Sequence, residues 1–102
     1  MRKDDLKKKI ISQIDVFPHK EAIKRLALFG SQLHGTATER SDVDILVEFQ
    51  PGARVGFFKM SHMLRFLEQN TGKKVDLVPK DGLSKYFRDE VLSESETIYE
   101  RK

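Results

Sequence analysis

The chain has 102 residues, of which 38% are hydrophobic and 34% charged, with a formal net charge of +3 and no cysteine. This length suits one modest core, so we expect a single domain over residues 1–102, and the absence of cysteine excludes disulfides and thiolate metal sites. Lysines scattered over a solvated surface explain the mild basicity, so direct nucleic-acid binding is not expected. No run approaches the roughly 20 apolar residues that cross a bilayer, and "MRKDDLKKKI" holds no signal core, which predicts a cytoplasmic protein that does not bind membranes.

The first half of the chain predicts a helix followed by two strands. Apolar residues at helical spacing behind Asp4 and Asp5 predict a helix over about residues 4–16. After Pro18, the segment "HKEAIKR" predicts a short helical turn, and the apolar run "LALF", closed by Gly30, predicts a buried strand. The segment "DVDILVEF" is rich in β-branched residues and is followed by a Pro-Gly turn, which predicts a second strand.

The second half predicts a helix, a strand and another helix. Apolar residues with a period of 3.6 run from Val55 to Gln69 and predict a helix. We expect its aromatic residues to lie in the core. Any aromatic side chain that remains exposed is a candidate for a partner-binding patch. These aromatic residues are Phe57, Phe58 and Phe66. The segment "KKVDLVP" predicts a third strand, the residues after Leu83 predict a last helix, and "TIYE" an extended end. The order predicts an α/β (α+β) fold with a small mixed sheet flanked by helices.

Three aspartates form the candidate site. Because side chains alternate along a strand, Asp42 and Asp44 share one face, about 7 Å apart at the backbone, while the apolar alternates face the core. Asp76 lies in the third predicted strand, where burial of a lone acid is costly. If that strand is a neighbour, the three charges crowd together, and two carboxylates about 4 Å apart repel by on the order of 4 kcal/mol at an effective dielectric of about 20. Such a trio needs cations, and all-oxygen ligation suits Mg²⁺ or Mn²⁺.

A Gly-Ser step upstream supplies a complementary feature. A strand that runs into Gly30 and Ser31 can present backbone N–H groups and a hydroxyl to a phosphate, and glycine permits the close approach. Each of these signals is weak alone, but their joint order and spacing favour a site for a nucleotide and metal ions.

The residues Gly30-Ser31, then ten residues, then Asp42-Val43-Asp44 resemble the G-S-x10-D-x-D signature of the DNA polymerase β-like nucleotidyltransferase superfamily. In so short a chain, the pattern is most similar to the minimal nucleotidyltransferase (MNT) group, the antitoxin half of HEPN/MNT toxin–antitoxin pairs. The resemblance implies a polymerase β palm-like fold, ATP as substrate, two Mg²⁺ ions and a hetero-oligomer with a HEPN toxin. It also implies transfer of AMP to a tyrosine of that RNase toxin, which neutralises it.

The resemblance implies a role for each matching residue. Asp42 and Asp44 would ligate both metal ions, and Asp76 would bind the catalytic metal and help to deprotonate the attacking hydroxyl. Gly30 and Ser31 would hold the triphosphate.

One departure concerns the phosphate loop, where relatives often read "GSRARG" and this chain reads "GSQLHG". Gln32 and His34 replace residues that are often basic, so either the phosphate contact is weaker in this chain or another cation provides it. The sequence leaves five candidates open: Arg25, Arg40, Lys59, Lys73 and Lys74.

Two rivals to the enzyme remain at this stage. In the first, the same fold neutralises the toxin by occlusion without catalysis, and the altered loop favours this alternative. In the second, the chain modifies a small molecule, but enzymes of that kind generally carry an added substrate domain. His19 is expected at the surface, and no second histidine shares the helix face of His62 at metal-ligand spacing, so a zinc site is not expected there.

Overall fold

The computed structural model describes residues 3–30 and 42–101, which form three helices, four strands and three short 3₁₀ turns. The helices are α1 (Lys3–Ser12), α2 (Phe57–Thr71) and α3 (Lys85–Glu94). The strands are β1 (Ile23–Phe29), β2 (Val43–Phe49), β3 (Val75–Pro79) and β4 (Glu96–Glu100). No helix in these ranges is long and apolar enough to span a membrane.

The first third of the chain differs in detail from the prediction. Helix α1 ends at Ser12, and the following residues Ile14–Val16 form a separate 3₁₀ turn. A second 3₁₀ turn covers Lys20–Ala22, and β1 begins at Ile23, within the segment predicted as a helical turn. The reason is non-local, since β1 is hydrogen-bonded on both sides, to β2 and to β4.

The sheet has the strand order β3-β2-β1-β4. Strand β1 is antiparallel to both β2 and β4, whereas β2 and β3 are parallel. A parallel pair needs a crossover connection, which α2 provides between β2 and β3. The sheet is therefore mixed and flanked by helices, as predicted.

The core lies between α1, α2 and one face of the sheet. Alternate residues of β2 are buried in it, beginning with Val43, and they pack with buried residues of the two helices, including Leu6 and Leu67. Residue Asp44 and its alternates consequently lie on the opposite face. The fold thus directs one face of β2 to the core and places Asp44 on the other face, two residues from the buried Leu46.

The aromatic residues of α2 correct one prediction. Phe66 packs edge-on against the buried Phe17, with ring centroids 5.1 Å apart, as expected of a core residue. Phe57 and Phe58, however, are 79% and 77% exposed. They occupy the first turn of α2, ahead of Met63, the first residue of this helix that is buried. Helical period alone could not reveal where the helix begins to cover the sheet.

Candidate active site

The register of the parallel strands brings the predicted carboxylates together. Asp44 on β2 lies opposite Asp76 on β3, one step beyond the pair Val43 and Val75. Asp42 precedes β2 and, by strand alternation, shares the face of Asp44. Asp42 and Asp76 are exposed and Asp44 is partly buried, so all three stand at one end of the sheet where solvent can reach them.

Burial raises the pKa of the Asp44 carboxyl, and the negative charges of Asp76 and Asp42 raise it further. Among residues 3–30 and 42–101, no cation or hydrogen-bond donor is paired with any of the three carboxylates. Within the described part of the chain, the negative charge of the cluster is therefore unpaired, a condition that favours the binding of a cation.

The donor set fits a hard divalent cation, since carboxylate oxygens are the ligands that Mg²⁺ and Mn²⁺ prefer. Within the described ranges, no three acidic or imidazole side chains converge closely enough to enclose an ion as they stand.

Gly30 forms the other wall of the carboxylate cluster. It ends β1 with φ +76°, a left-handed conformation, and its neighbour Phe29 lies opposite Asp44 in the sheet. A Cβ atom on Gly30 would overlap the Oδ2 atom of Asp44 and come within 3.1 Å of its Cγ atom. Glycine thus leaves room for the Asp44 carboxylate, which an added Cβ atom would displace. Sequence reasoning assigned this glycine only to the approach of a phosphate.

The remaining part of the predicted phosphate loop cannot be placed. Ser31, Gln32, His34 and Arg40 lie outside the described residues. Their roles remain predictions from the sequence.

Two of the candidate phosphate-binding cations are engaged elsewhere. Arg25 donates hydrogen bonds of 2.9 Å each to Glu48, Thr97 and Ser95, linking β1 to β2 and to the start of β4. Burial raises the pKa of Glu48, but its hydrogen bond with Arg25 and the charges of Lys80 and Arg25 outweigh this and lower it overall. Arg25 is therefore a structural cation.

The second engaged cation is Lys59, which donates a hydrogen bond of 3.0 Å to the carbonyl oxygen of Arg54.

Lys74, in contrast, lies next to the carboxylate cluster. Its carbonyl oxygen accepts a 2.9 Å hydrogen bond from Val43 N–H, which extends the β2–β3 ladder by one residue. By alternation, Lys74 shares the face of Asp76 and lies beside Asp42.

A pair of histidines was missed by the sequence reasoning. His19 Nε2 and His62 Nδ1 are 2.9 Å apart, and the two rings stack at an interplanar angle of 11°. The pair joins the 3₁₀ turn before β1 to helix α2. No third potential ligand completes a metal site there among the residues that the structure describes.

A cleft of about 320 Å³ adjoins the carboxylate cluster on its β1 side. Its walls come from the end of β1 and from α3, and it is lined by Phe29, Gly30, Phe87, Glu90, Val91 and Glu94. Sequence reasoning did not associate α3 with the site, because the approach of α3 to Gly30 is a tertiary contact with no local signal.

A site of paired strand carboxylates beside a glycine turn is typical of enzymes that transfer nucleotidyl groups. The family model described as Polymerase beta, Nucleotidyltransferase matches residues 8–102, nearly the whole chain. The chain therefore belongs to the polymerase β nucleotidyltransferase family, which confirms the resemblance predicted from the G-S-x10-D-x-D pattern.

Three known proteins illustrate the relationship. The protein adenylyltransferase MntA of Thermococcus cleftensis is 38% identical over 72 residues, which cover 71% of this chain and 71% of MntA. A solved structure provisionally described as a minimal nucleotidyltransferase superposes with a TM-score of 0.75 at 29% identity, over 93% of this chain and 94% of that chain. The solved complex of a tri-AMPylated Shewanella oneidensis HEPN toxin with MNT antitoxin includes a chain that superposes with a TM-score of 0.66 at 18% identity, over 96% of this chain and 72% of that chain. At this identity, the last likeness concerns the fold.

Proposed function

We propose that the chain is an antitoxin that transfers AMP from ATP to a tyrosine of a cognate HEPN-family RNase toxin and thereby neutralises it. The observation that carries the proposal is the in-register pairing of Asp44 with Asp76, beside Asp42 and against Gly30. Asp44 is partly buried beside two further carboxylates and has no cation partner among the described residues, which is costly in a fold that needs only to bind a surface. The similarity to MntA, a protein adenylyltransferase, supports the choice of AMP and of a protein acceptor.

Each residue of the cluster has a proposed task. Asp42 and Asp44 would hold two Mg²⁺ ions, which neutralise phosphate charge and favour displacement of pyrophosphate. Asp76, on the outer side of Asp44, would accept the proton of the tyrosine hydroxyl. Gly30 and Ser31 would bind the triphosphate through backbone N–H groups and the Ser31 hydroxyl.

The transfer then proceeds as a single displacement. The tyrosine oxygen forms a bond to the α-phosphorus of ATP while the bond from that phosphorus to the bridging oxygen of the β-phosphate breaks. Pyrophosphate leaves with the bonding electrons, and the phenolic proton passes to Asp76. The product is a tyrosine–AMP phosphodiester.

The occlusion alternative also has an observation in its favour. The described carboxylates do not converge into a closed metal site, and the loop reads "GSQLHG" rather than a basic sequence. In this alternative, the chain covers the toxin and leaves it unmodified.

Intact-mass spectrometry of the HEPN protein separates the two functions. The protein is incubated with this chain, ATP and Mg²⁺, beside the variants Asp44→Asn and Asp81→Asn. Asp44→Asn removes a charged ligand with little change of volume, so we expect loss of transfer by at least about 100-fold. Asp81 is exposed in the 3₁₀ turn after β3, and its variant controls for the loss of one charge.

A gain of one or more AMP groups with the wild type and the Asp81→Asn variant, but not with Asp44→Asn, is the expected result. If the HEPN protein is unmodified but still bound and inhibited, the result would contradict the transferase function and support the occlusion function.

A further inference from the structure

Helix α3 is an amphipathic helix with little cover. Its N-terminus is capped by the Ser84 side chain, which accepts a hydrogen bond from Tyr86 N–H. None of the α3 residues is buried against the described part of the chain. Tyr86 is 81% exposed and Phe87 is 61% exposed. Neighbouring exposed aromatic side chains on a helix are a common mark of an interaction surface.

One of these two aromatic residues, Phe87, lines a concave surface that adjoins the carboxylate cluster. We call this surface the aromatic cleft and define it by the residues Phe29, Phe87, Glu90, Val91 and Glu94. Tyr86 precedes Phe87 on α3 and lies about one helical turn from Glu90, so it shares the helix face of a cleft residue. Gly30 separates the cleft from Asp44, since it lines the cleft and also meets the Asp44 carboxylate. The cleft is thus continuous with the candidate active site.

The charges of the aromatic cleft favour a cationic occupant over a nucleotide. Glu90 and Glu94 are its charged lining residues, and both are exposed, in a chain whose net charge is +3. The Glu90 carboxylate beside the cleft would repel a triphosphate, whereas it attracts a lysine or arginine side chain. The apolar walls, formed by two phenyl rings and Val91, suit an apolar side chain of the same partner.

The position of the cleft also suits a protein that must reach Asp76. Strand β1, which ends at the cleft, is two strands away from β3, a separation of about 10 Å at the usual strand spacing. A protein docked on α3 can span this distance and still present a hydroxyl to the cluster. A surface at the far end of the sheet, such as Phe57 and Phe58, would not be continuous with it.

We propose that the aromatic cleft is the docking surface for the protein that accepts the nucleotidyl group, and that it receives an apolar side chain flanked by lysine or arginine. This inference rests on the proposed function, because it names where the acceptor protein binds. Docking is then separate from catalysis, with α3 binding the acceptor and the three aspartates acting on the phosphates.

The test compares two pairs of exposed aromatic residues. Affinity for the cognate HEPN-family protein is measured by calorimetry for the wild type, Tyr86→Ala/Phe87→Ala, Phe57→Ala/Phe58→Ala and Glu90→Lys. We expect a loss of about 10-fold or more for Tyr86→Ala/Phe87→Ala and little change for the matched pair on α2. Glu90→Lys should weaken binding by about 3-fold or more, with a smaller effect at high salt. Affinity for Mg²⁺-ATP should be unchanged in the two aromatic double variants.

Three results would overturn the docking surface. Equal affinity of the wild type and both α3 variants would exclude it, as would a loss confined to Phe57→Ala/Phe58→Ala. A loss of ATP affinity in Tyr86→Ala/Phe87→Ala, with HEPN binding retained, would assign the cleft to the nucleotide. If the wild type itself does not bind the HEPN protein, the result would contradict the proposed function, and this outcome is distinct from a docking surface placed at the wrong site.

Discussion

Gly30 has two features that disfavour any other residue. Its backbone has φ +76°, and a Cβ atom there would overlap the Asp44 carboxylate. We expect Gly30→Ala to cost about 1–3 kcal/mol of unfolding free energy, because a Cβ atom adds left-handed strain and displaces the carboxylate. Nucleotidyl transfer should fall with it. Urea denaturation and the transfer assay measure the two effects.

Gly72 provides the matched control for Gly30. It has a similar φ of +69° at the end of α2, and a Cβ atom there would meet nothing within 4 Å. Gly72→Ala should therefore lose about 1 kcal/mol from backbone strain alone and retain the specific activity of its folded fraction. Equal effects of the two substitutions on activity would contradict a special fit between Gly30 and Asp44.

At the scale of the element, strand β3 gives the site a cation as well as a carboxylate. Lys74 precedes β3 and, by alternation, shares the face of Asp76, and its ammonium group has no hydrogen-bond or ion-pair partner among the described residues. Among the candidates that the structure describes, we propose Lys74 as the replacement for the basic residues absent from "GSQLHG", because the strand register places it beside Asp42. We expect it to contact a phosphate of the bound nucleotide.

Lys74→Ala should accordingly weaken ATP affinity by about 3-fold to 10-fold, and Lys74→Arg should restore most of it. Lys24→Ala is the control, because it removes the same charge from an exposed residue near the opposite end of the sheet. Titration with ATP at two salt concentrations measures the effect. Identical affinities of the two alanine variants would exclude Lys74 as a phosphate ligand.

At the scale of the whole molecule, the site opposes stability in the absence of a cation. The pKa of Asp44 is raised above its ordinary value of 3.8, so the folded state holds this proton more tightly than the unfolded state. The contribution of Asp44 to the free energy of unfolding is therefore stabilising at low pH and is lost as the pH rises through the raised pKa. At neutral pH, the ionised Asp44 destabilises the fold through burial and through repulsion by Asp76 and Asp42.

Thermal unfolding at neutral pH tests this balance. Without divalent ions, Asp44→Asn should unfold about 2–6 °C above the wild type, because it removes the charge and keeps the shape. Millimolar Mg²⁺ should raise the midpoint of the wild type and shift that of Asp44→Asn less. A wild type that is more stable than the variant without metal, and unresponsive to Mg²⁺, would mean that the repulsion is already neutralised.

The sequence by itself determined the features that depend on neighbouring residues. Turn residues and apolar period located the strands that carry Asp44 and Asp76, and strand alternation placed Asp42 and Asp44 on the face away from the core. The spacing from Gly30 to Asp42 indicated the family before any contact was known. These predictions succeeded because each depends on backbone geometry over a few residues.

Only the tertiary structure decided which of these residues meet. The parallel register that sets Asp44 beside Asp76, and the contact of Gly30 with Asp44, depend on strands that are distant in the chain. The same holds for Arg25, which is bound to Glu48 rather than available to a phosphate. Exposure of Phe57, against its helical period, depends on how far α2 extends beyond the sheet it covers. Such contacts follow from packing of the whole chain, which no local pattern encodes.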